Sequence, residues 1–185
     1  PHAPVVLVLP GSGYTVQAPL LYWTTRALDQ AGWDVWAVDW HDAAPGLRAE
    51  DADEFVAECV AEAIAGLPRP PAAIVAKSLG TLSLPRFVTT DVRAVWFTPI
   101  LTNDCVGRAA DQASAAHLLV GGSADPAWRP VLLDETVAVV RTVPDADHGM
   151  ELTDAAWHES AARQLELVAD AVAHLDPRSS AHDAG

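Results

Sequence analysis

The chain has 185 residues, half of them hydrophobic, and its 25 acidic residues outnumber 11 basic ones to give a formal charge of −14. This length and apolar content predict one folded domain over residues 1–177. The small polar tail at 178–185 is expected to be disordered. The negative charge argues against nucleic acid or an anionic membrane surface as partner. No apolar run approaches the about eighteen residues of a membrane-spanning helix, and the sequence shows no retained signal peptide, so we expect a cytoplasmic protein.

Apolar segments alternate with amphipathic helical patterns along the whole chain. In chain order, the pattern predicts strands at 4–10, 33–40, 72–78, 93–98, 117–121 and 138–143, and helices at 19–31, 54–67 and 157–175. A parallel sheet covered by helices on both faces produces such an alternation. We therefore expect an α/β fold in three layers, with a mostly parallel sheet of six strands in the middle.

The third predicted strand ends in the run Ala76-Lys77-Ser78-Leu79-Gly80. A strand that reverses sharply around a nucleophile needs small residues two positions before it and two positions after it. Ala76 and Gly80 satisfy this requirement. Such a turn lifts the serine hydroxyl above the sheet and places the Leu79 N–H where it can bind a developing oxyanion. The run predicts that Ser78 is a nucleophile for acyl transfer.

Two further residues follow strands at the positions that a serine nucleophile requires for its base and its acid. Asp125 lies in a turn directly after the fifth strand, and His148 lies in the loop between the sixth strand and the last helix. The chain order Ser78, Asp125, His148 is that of hydrolases with a nucleophile elbow. We therefore predict His148 as the general base and Asp125 as the carboxylate that orients it.

The loop after the first strand, Gly11-Ser12-Gly13-Tyr14, allows two interpretations. It lies where a second oxyanion donor is needed, and we expect the Ser12 N–H to fill that role. A glycine-bearing turn can also cradle a phosphate. This loop lacks the third glycine of a dinucleotide fingerprint and the Gly-Lys-Ser/Thr of a P-loop. Phosphate or nucleotide binding at this loop stays as an alternative.

Lys77 is the only lysine of the chain and directly precedes the predicted nucleophile. We interpret it as a surface charge paired with one of the many carboxylates, which contributes little to stability. The alternative is that its charge steers an anionic acyl substrate or lowers the pKa of a nearby group. A Ser-Lys dyad is disfavoured because adjacent side chains of an extended strand point in opposite directions.

The cysteine and histidine residues show no metal-ligand spacing. Cys59 and Cys105 form no CxxC motif, and the seven histidines include no HxH or HExxH pair. We expect no metal and no cofactor. We interpret both cysteines as buried thiols, with a disulfide between them as the alternative. The seven tryptophans are expected to pack in the core, with docking of a partner as the alternative.

The glycine loop, the elbow, the acid turn and the histidine loop, spread from Pro10 to His148, together resemble those of a small α/β-hydrolase. Two residues depart from the family pattern. Ala76 replaces the first glycine of Gly-x-Ser-x-Gly, and Pro10 stands where many relatives have histidine. The resemblance implies a minimal α/β-hydrolase fold that lacks the first two strands of larger members. It also implies an open pocket, because residues 102–116 are too few for a large cap.

The resemblance further implies a function and a pocket. The function is that of a lidless carboxylesterase-like enzyme that hydrolyses a small ester, thioester or lactone through an acyl-enzyme on Ser78, so the partner is a small acyl substrate. The expected pocket walls are Tyr14, Thr98, Leu101, Trp128 and Met150. A catalytically idle binding or scaffold protein with the same fold stays open as a different class. The sequence predicts no oligomeric state.

Overall fold

The computed structural model describes residues 2–40, 42–44 and 46–176. Within these residues the chain forms six strands, β1 Val5–Leu9, β2 Asp34–Ala37, β3 Ala73–Lys77, β4 Arg93–Phe97, β5 His117–Gly122 and β6 Val139–Val143. The helices are α1 Pro19–Gln30, α2 Ala52–Gly66, α3 Leu84–Phe87, α4 Asp104–Asp111 and α5 Trp157–Leu175. Short 3-10 helices lie at Ala49–Asp51, Ser78–Ser83 and Pro130–Leu132. The predicted tail at 178–185 falls outside the described residues.

The six strands form one sheet in the order β2-β1-β3-β4-β5-β6, and every neighbouring pair is parallel. Side chains of a strand alternate between the two faces of a sheet. In β1, Val6 and Val8 join a core with α1 and α5, whereas Leu7 and Leu9 join a second core with α2, α3 and α4. Two layers of helices therefore enclose the sheet, and the predicted three-layer α/β fold is confirmed.

The second strand is shorter than predicted. The sequence predicts a strand over 33–40, but β2 ends at Ala37, and Val38 adds one more backbone hydrogen bond to the carbonyl of Val8. Trp40 turns away from the sheet and is buried beside the loop after β1, where its indole N–H donates to the Gly11 carbonyl over 3.1 Å. The apolar pattern of this segment therefore has two causes: its first part pairs in the sheet, and Trp40 is buried beside the loop after β1.

Residues 102–116 hold one helix of eight residues, α4, which packs into the layer on one face of the sheet. Asn103 caps it, because its side-chain oxygen accepts hydrogen bonds from the N–H groups of Cys105 and Val106. This cap starts the helix early and places Cys105 in its exposed first turn. The prediction of two buried thiols is therefore wrong for Cys105, and Cys59 on α2 is half-buried.

The tryptophans divide between the core and the surface. Trp33, Trp40, Trp96 and Trp128 are buried, and Trp23, Trp36 and Trp157 are exposed. Core packing thus accounts for four of the seven. None of the helices in the described ranges combines the length and the apolar character needed to cross a membrane.

Candidate active site

Ser78 begins the turn at the carboxyl end of β3 with a left-handed backbone φ of 51°. A residue with a Cβ is strained at such an angle, and the strain persists only where surrounding contacts fix the turn. The Gly80 N–H supplies one such contact by donating to the Pro10 carbonyl over 3.0 Å. Ala76 is fully buried in β3. The chain continues into the 3-10 helix Ser78–Ser83 and leaves the Ser78 side chain half-buried at the sheet edge.

His148 connects Ser78 to Asp125. Its Nε2 lies 2.8 Å from Ser78 Oγ, and its Nδ1 lies 2.8 Å from Asp125 Oδ2. The Asp125 side chain is fully buried, whereas that of His148 is 39% exposed. The other Asp125 oxygen accepts the Ala127 N–H over 2.8 Å, which fixes the carboxylate plane. With its proton on Nδ1, the imidazole offers Nε2 as an acceptor for the serine proton.

Two glycines at the end of β5 let the loops that carry Asp125 and His148 approach closely. A Cβ on Gly121 would lie 2.1 Å from the Trp128 ring, and one on Gly122 would lie 2.0 Å from the carbonyl oxygen of Ala146. Backbone hydrogen bonds then join the two loops, including one of 3.0 Å from the Ala124 N–H to the Ala146 carbonyl. This close packing sets the distance between the carboxylate and the imidazole.

Ser12 and Leu79 both lie beside Ser78. Ser12 lines a cavity of about 230 Å³ together with Ser78 and His148. Ser12 and Leu79 both line a larger cavity of about 710 Å³. A residue at the start of a helix has no intrahelical acceptor for its N–H, which leaves the Leu79 N–H for a ligand. The Gly11 N–H donates to the Tyr14 carbonyl over 3.0 Å and closes the loop that carries Ser12.

Lys77 is 1% exposed, so its interpretation as a surface charge is wrong. Its side chain turns under the loop that carries His148 and donates to the His148 carbonyl over 2.7 Å and to Thr98 Oγ1 over 3.0 Å. The ammonium also lies 4.4 Å from the centre of the Tyr14 ring. Burial lowers the pKa of Lys77 from 10.5 to about 8, and nearby carboxylates, chiefly Asp125, raise it in part.

Of the five residues predicted as pocket walls, one lines a cavity at the site and four are buried. Tyr14 lines the cavity of about 230 Å³. Thr98, Leu101, Trp128 and Met150 are buried within the fold. The larger cavity is walled instead by apolar residues that the sequence analysis missed, namely Leu47, Leu82 and Ile100, with Thr102 and Asn103 at one side. Leu82 could have been predicted from the sequence, because it lies four residues, about one helical turn, after Ser78.

The described ranges contain no group of three or more histidine, cysteine, aspartate or glutamate side chains that could hold a metal ion. His148 and Asp125 are already hydrogen-bonded to each other, and Cys59 and Cys105 are free thiols on two different helices.

No family model and no curated protein sequence matches this chain. Solved structures do match it. A lidless α/β serine hydrolase from Xanthomonas campestris is 21% identical, with 96% of this chain and 83% of that chain covered and a TM-score of 0.63. Dienelactone hydrolase from Anabaena variabilis is 17% identical, with coverages of 94% and 87% and a TM-score of 0.62. A monoacylglycerol lipase from Paleococcus ferrophilus is also 17% identical, with coverages of 94% and 96% and a TM-score of 0.59.

At these identities the likeness concerns the fold. The matches cover more than nine tenths of this chain, and they include proteins described as esterases besides the three above. The resemblance predicted from the glycine loop, the elbow, the acid turn and the histidine loop is confirmed at that level. The protein has the fold of the small α/β-hydrolases.

Proposed function

We propose that the protein is a serine hydrolase that cleaves a small carboxylic ester through an acyl-enzyme on Ser78. One observation carries this proposal, the unbroken hydrogen-bonded series from Ser78 Oγ through His148 to the buried carboxylate of Asp125. A nucleophile, a base and an orienting acid in this arrangement support acyl transfer. The left-handed backbone of Ser78 adds support, because such strain is common where a fold holds a reactive side chain in place.

The reaction begins when Ser78 Oγ attacks the ester carbonyl and His148 Nε2 takes the hydroxyl proton. Asp125 stabilises the imidazolium that forms, and it stays ionised. The N–H groups of Ser12 and Leu79 bind the negative oxygen of the tetrahedral intermediate. His148 then returns the proton to the departing alkoxide, and the acyl group remains on Ser78. Water attacks this acyl-enzyme with His148 again acting as the base.

The cavity of about 710 Å³ favours an acyl group that is apolar. It begins at Ser12 and Leu79, beside the proposed oxyanion donors, and its wall includes Leu47, Leu82 and Ile100. Ligand pockets of this size are lined mainly by apolar side chains with a few polar groups that fix orientation. Two of the similar structures are described as an esterase and an esterase domain, which supports an ester as the substrate, while the dienelactone hydrolase among them supports a lactone as the alternative. All three substrates would react by the same steps.

Labelling with a fluorophosphonate probe tests the proposed nucleophile directly. The wild type, Ser78→Ala and His148→Ala are compared by intact mass and peptide mapping, with exposed Ser114→Ala as a matched control. One adduct on Ser78, absent from Ser78→Ala, strongly slowed in His148→Ala and retained in Ser114→Ala, is the expected result. A folded wild type that forms no adduct would contradict the proposal and favour a catalytically idle binding protein. Hydrolysis of matched esters, thioesters and lactones then assigns the bond.

A further inference from the structure

We propose that Lys77 is a positioning residue for the reaction, because its buried ammonium ties the loop that carries His148 to the loop that carries Ser12. This inference rests on the proposed function and assigns a role to the one lysine of the chain. Lys77 forms no hydrogen bond to Ser78 in the structure and acts through its neighbours. Its three partners lie on three different segments of the site.

The strongest contact is the hydrogen bond from Lys77 Nζ to the His148 carbonyl, at 2.7 Å. This carbonyl belongs to the residue whose imidazole contacts Ser78, so a shift of the peptide group moves the base as well. His148 lies in a loop between β6 and α5, and its side chain is 39% exposed. A loop residue in such a position depends on fixed contacts to hold a reactive geometry. Lys77, at the end of β3, supplies one of these fixed contacts to the His148 loop.

The second contact fixes the ammonium from the side of the sheet. Thr98 follows β4 directly, is fully buried, and accepts a hydrogen bond from Lys77 Nζ over 3.0 Å. Thr98 itself has a left-handed φ of 46°. This backbone angle, strained for a β-branched residue, aims the hydroxyl at the end of β3. The Lys77 side chain is thereby held in one direction.

The third contact reaches the loop after β1. The Tyr14 ring lies under the ammonium at 4.4 Å and is fixed at both ends, since its hydroxyl oxygen accepts the Leu20 N–H over 3.0 Å and its carbonyl accepts the Gly11 N–H. A cation above an aromatic face is attracted to it, and more strongly where water is excluded. Tyr14 therefore links Lys77 to the loop that presents the Ser12 N–H.

Burying the Lys77 ammonium costs free energy, and the contacts of this side chain must offset that cost. An ammonium buried from water is expensive unless its donors are satisfied and its charge is balanced. Here two hydrogen bonds and a ring face take up the donors, and the carboxylates of Asp125 and Asp147 lie near enough to stabilise the charge. An apolar residue would fill the same space without that cost. It would not hold the His148 carbonyl.

The test compares Lys77→Met, which keeps the apolar stem and removes the donor, with Gln164→Met. Gln164 is a matched control because it donates to the Met150 carbonyl, in the same loop but two residues after His148. With a short-chain nitrophenyl ester, we expect Lys77→Met to lower kcat about 100-fold, because small misplacements of a catalytic group have effects of this size. Its KM should change less than about threefold, and Gln164→Met should keep kcat within about threefold.

A second readout does not require turnover. We expect the proton on His148 Nδ1, hydrogen-bonded to Asp125, to give a far-downfield NMR resonance in the folded protein. This resonance should shift or broaden in Lys77→Met and persist unchanged in Gln164→Met. An unchanged resonance and an unchanged kcat in Lys77→Met would overturn the inference, as would equal falls in kcat for both variants. Failure of wild-type Ser78 to label would instead count against the proposed function.

If circular dichroism shows that Lys77→Met does not fold, a third variant tests the positioning role of Lys77. Thr98→Val removes the hydroxyl that accepts from Lys77 and keeps the β-branched shape and the buried ammonium. We expect kcat to fall about fivefold with an unchanged KM and a shifted His148 resonance. A folded Thr98→Val protein with wild-type kcat and resonance would overturn the inference.

Discussion

The indole N–H of Trp40 donates to the carbonyl oxygen of Gly11 over 3.1 Å and joins the segment after β2 to the loop after β1. Trp40 is buried and packs against the ring of Phe55 on α2. The carbonyl that it holds belongs to the peptide group that also contains the Ser12 N–H. Trp40 therefore orients a proposed oxyanion donor from outside the site.

Trp40→Phe tests this relationship, because it keeps an aromatic ring and removes the donor. We expect kcat for a nitrophenyl ester to fall about tenfold, since a misaligned oxyanion donor stabilises the transition state less. Trp33→Phe is the control, as Trp33 is buried on the other face of the sheet. The measurement is steady-state kinetics at matched folded fraction. Equal effects of the two substitutions would show that lost packing, and not the Gly11 contact, is responsible.

Gly80→Ala tests the close approach of the elbow to β1. A Cβ on Gly80 would lie 2.3 Å from the carbonyl oxygen of Leu9, a backbone atom that cannot move without displacing β1. Overpacking of this kind typically costs about 1–3 kcal/mol, and we expect a loss of about 3 kcal/mol in the free energy of unfolding. Urea denaturation measures it.

Gly66→Ala is the control for that experiment. Gly66 ends α2, and a Cβ there would meet nothing within 4 Å. Alanine favours a helix over glycine by about 1 kcal/mol in a helix interior, so this variant should be neutral or slightly stabilised. A Gly80→Ala protein as stable as Gly66→Ala would contradict the role of Gly80 in the turn.

Much of the fold, and the meeting of three candidate residues at one edge of the sheet, could be predicted because the signals are local. Ser78, Asp125 and His148 each lie in a loop after a strand, and the carboxyl ends of parallel strands meet at one edge of a sheet. Short apolar segments separated by helical patterns were enough to identify all six strands. The strand that was overestimated, β2, shows the limit of that reasoning, because Trp40 is buried by a loop and not by the sheet.

The role of Lys77 could not be predicted from local pattern. A lysine at the end of a strand is usually exposed, and its burial depends on a loop that lies 71 residues further along the chain. The residues that wall the pocket could not be predicted for a similar reason. Thr98 and Met150 lie in loops near Ser78 in the sequence pattern, but close packing of those loops turns both side chains into the interior. Which loop side chain faces a cavity is decided by packing between loops.

Leu82→Trp tests the assignment of the larger cavity as the acyl site. Leu82 lines this cavity of about 710 Å³ and belongs to the 3-10 helix that begins at Ser78. A tryptophan there would occupy space that a long acyl chain needs. We expect kcat/KM for an octanoyl ester to fall at least tenfold while that for an acetyl ester changes less than about threefold, since each lost methylene contact is worth about 1 kcal/mol. Uniform falls for all chain lengths would place the acyl group elsewhere.

The burial of Lys77 predicts an unusual dependence of stability on pH. Its pKa is about 8 in the folded protein, against 10.5 for the exposed side chain. Between these values the unfolded chain binds more protons than the folded one, so stability rises with pH. The cost of burying the charge is fully present below pH 8 and is relieved as pH rises toward 10.5. From pH 7 to pH 10 this gain corresponds to about 2.5 kcal/mol.

Lys77→Met isolates that contribution, because it keeps every other titrating group. Urea denaturation of both proteins at pH 7, 8, 9 and 10 should show the free energy of unfolding of the wild type rising relative to the variant by about 2.5 kcal/mol across the series. The series stops at pH 10, since burial raises the pKa of Tyr14 and its ionisation in the unfolded chain lowers stability above that pH. A difference that stays constant from pH 7 to pH 10 would mean that Lys77 keeps its ordinary pKa. The ammonium would then be held by its contacts at no cost from burial, and removing it would destabilise the fold equally at every pH.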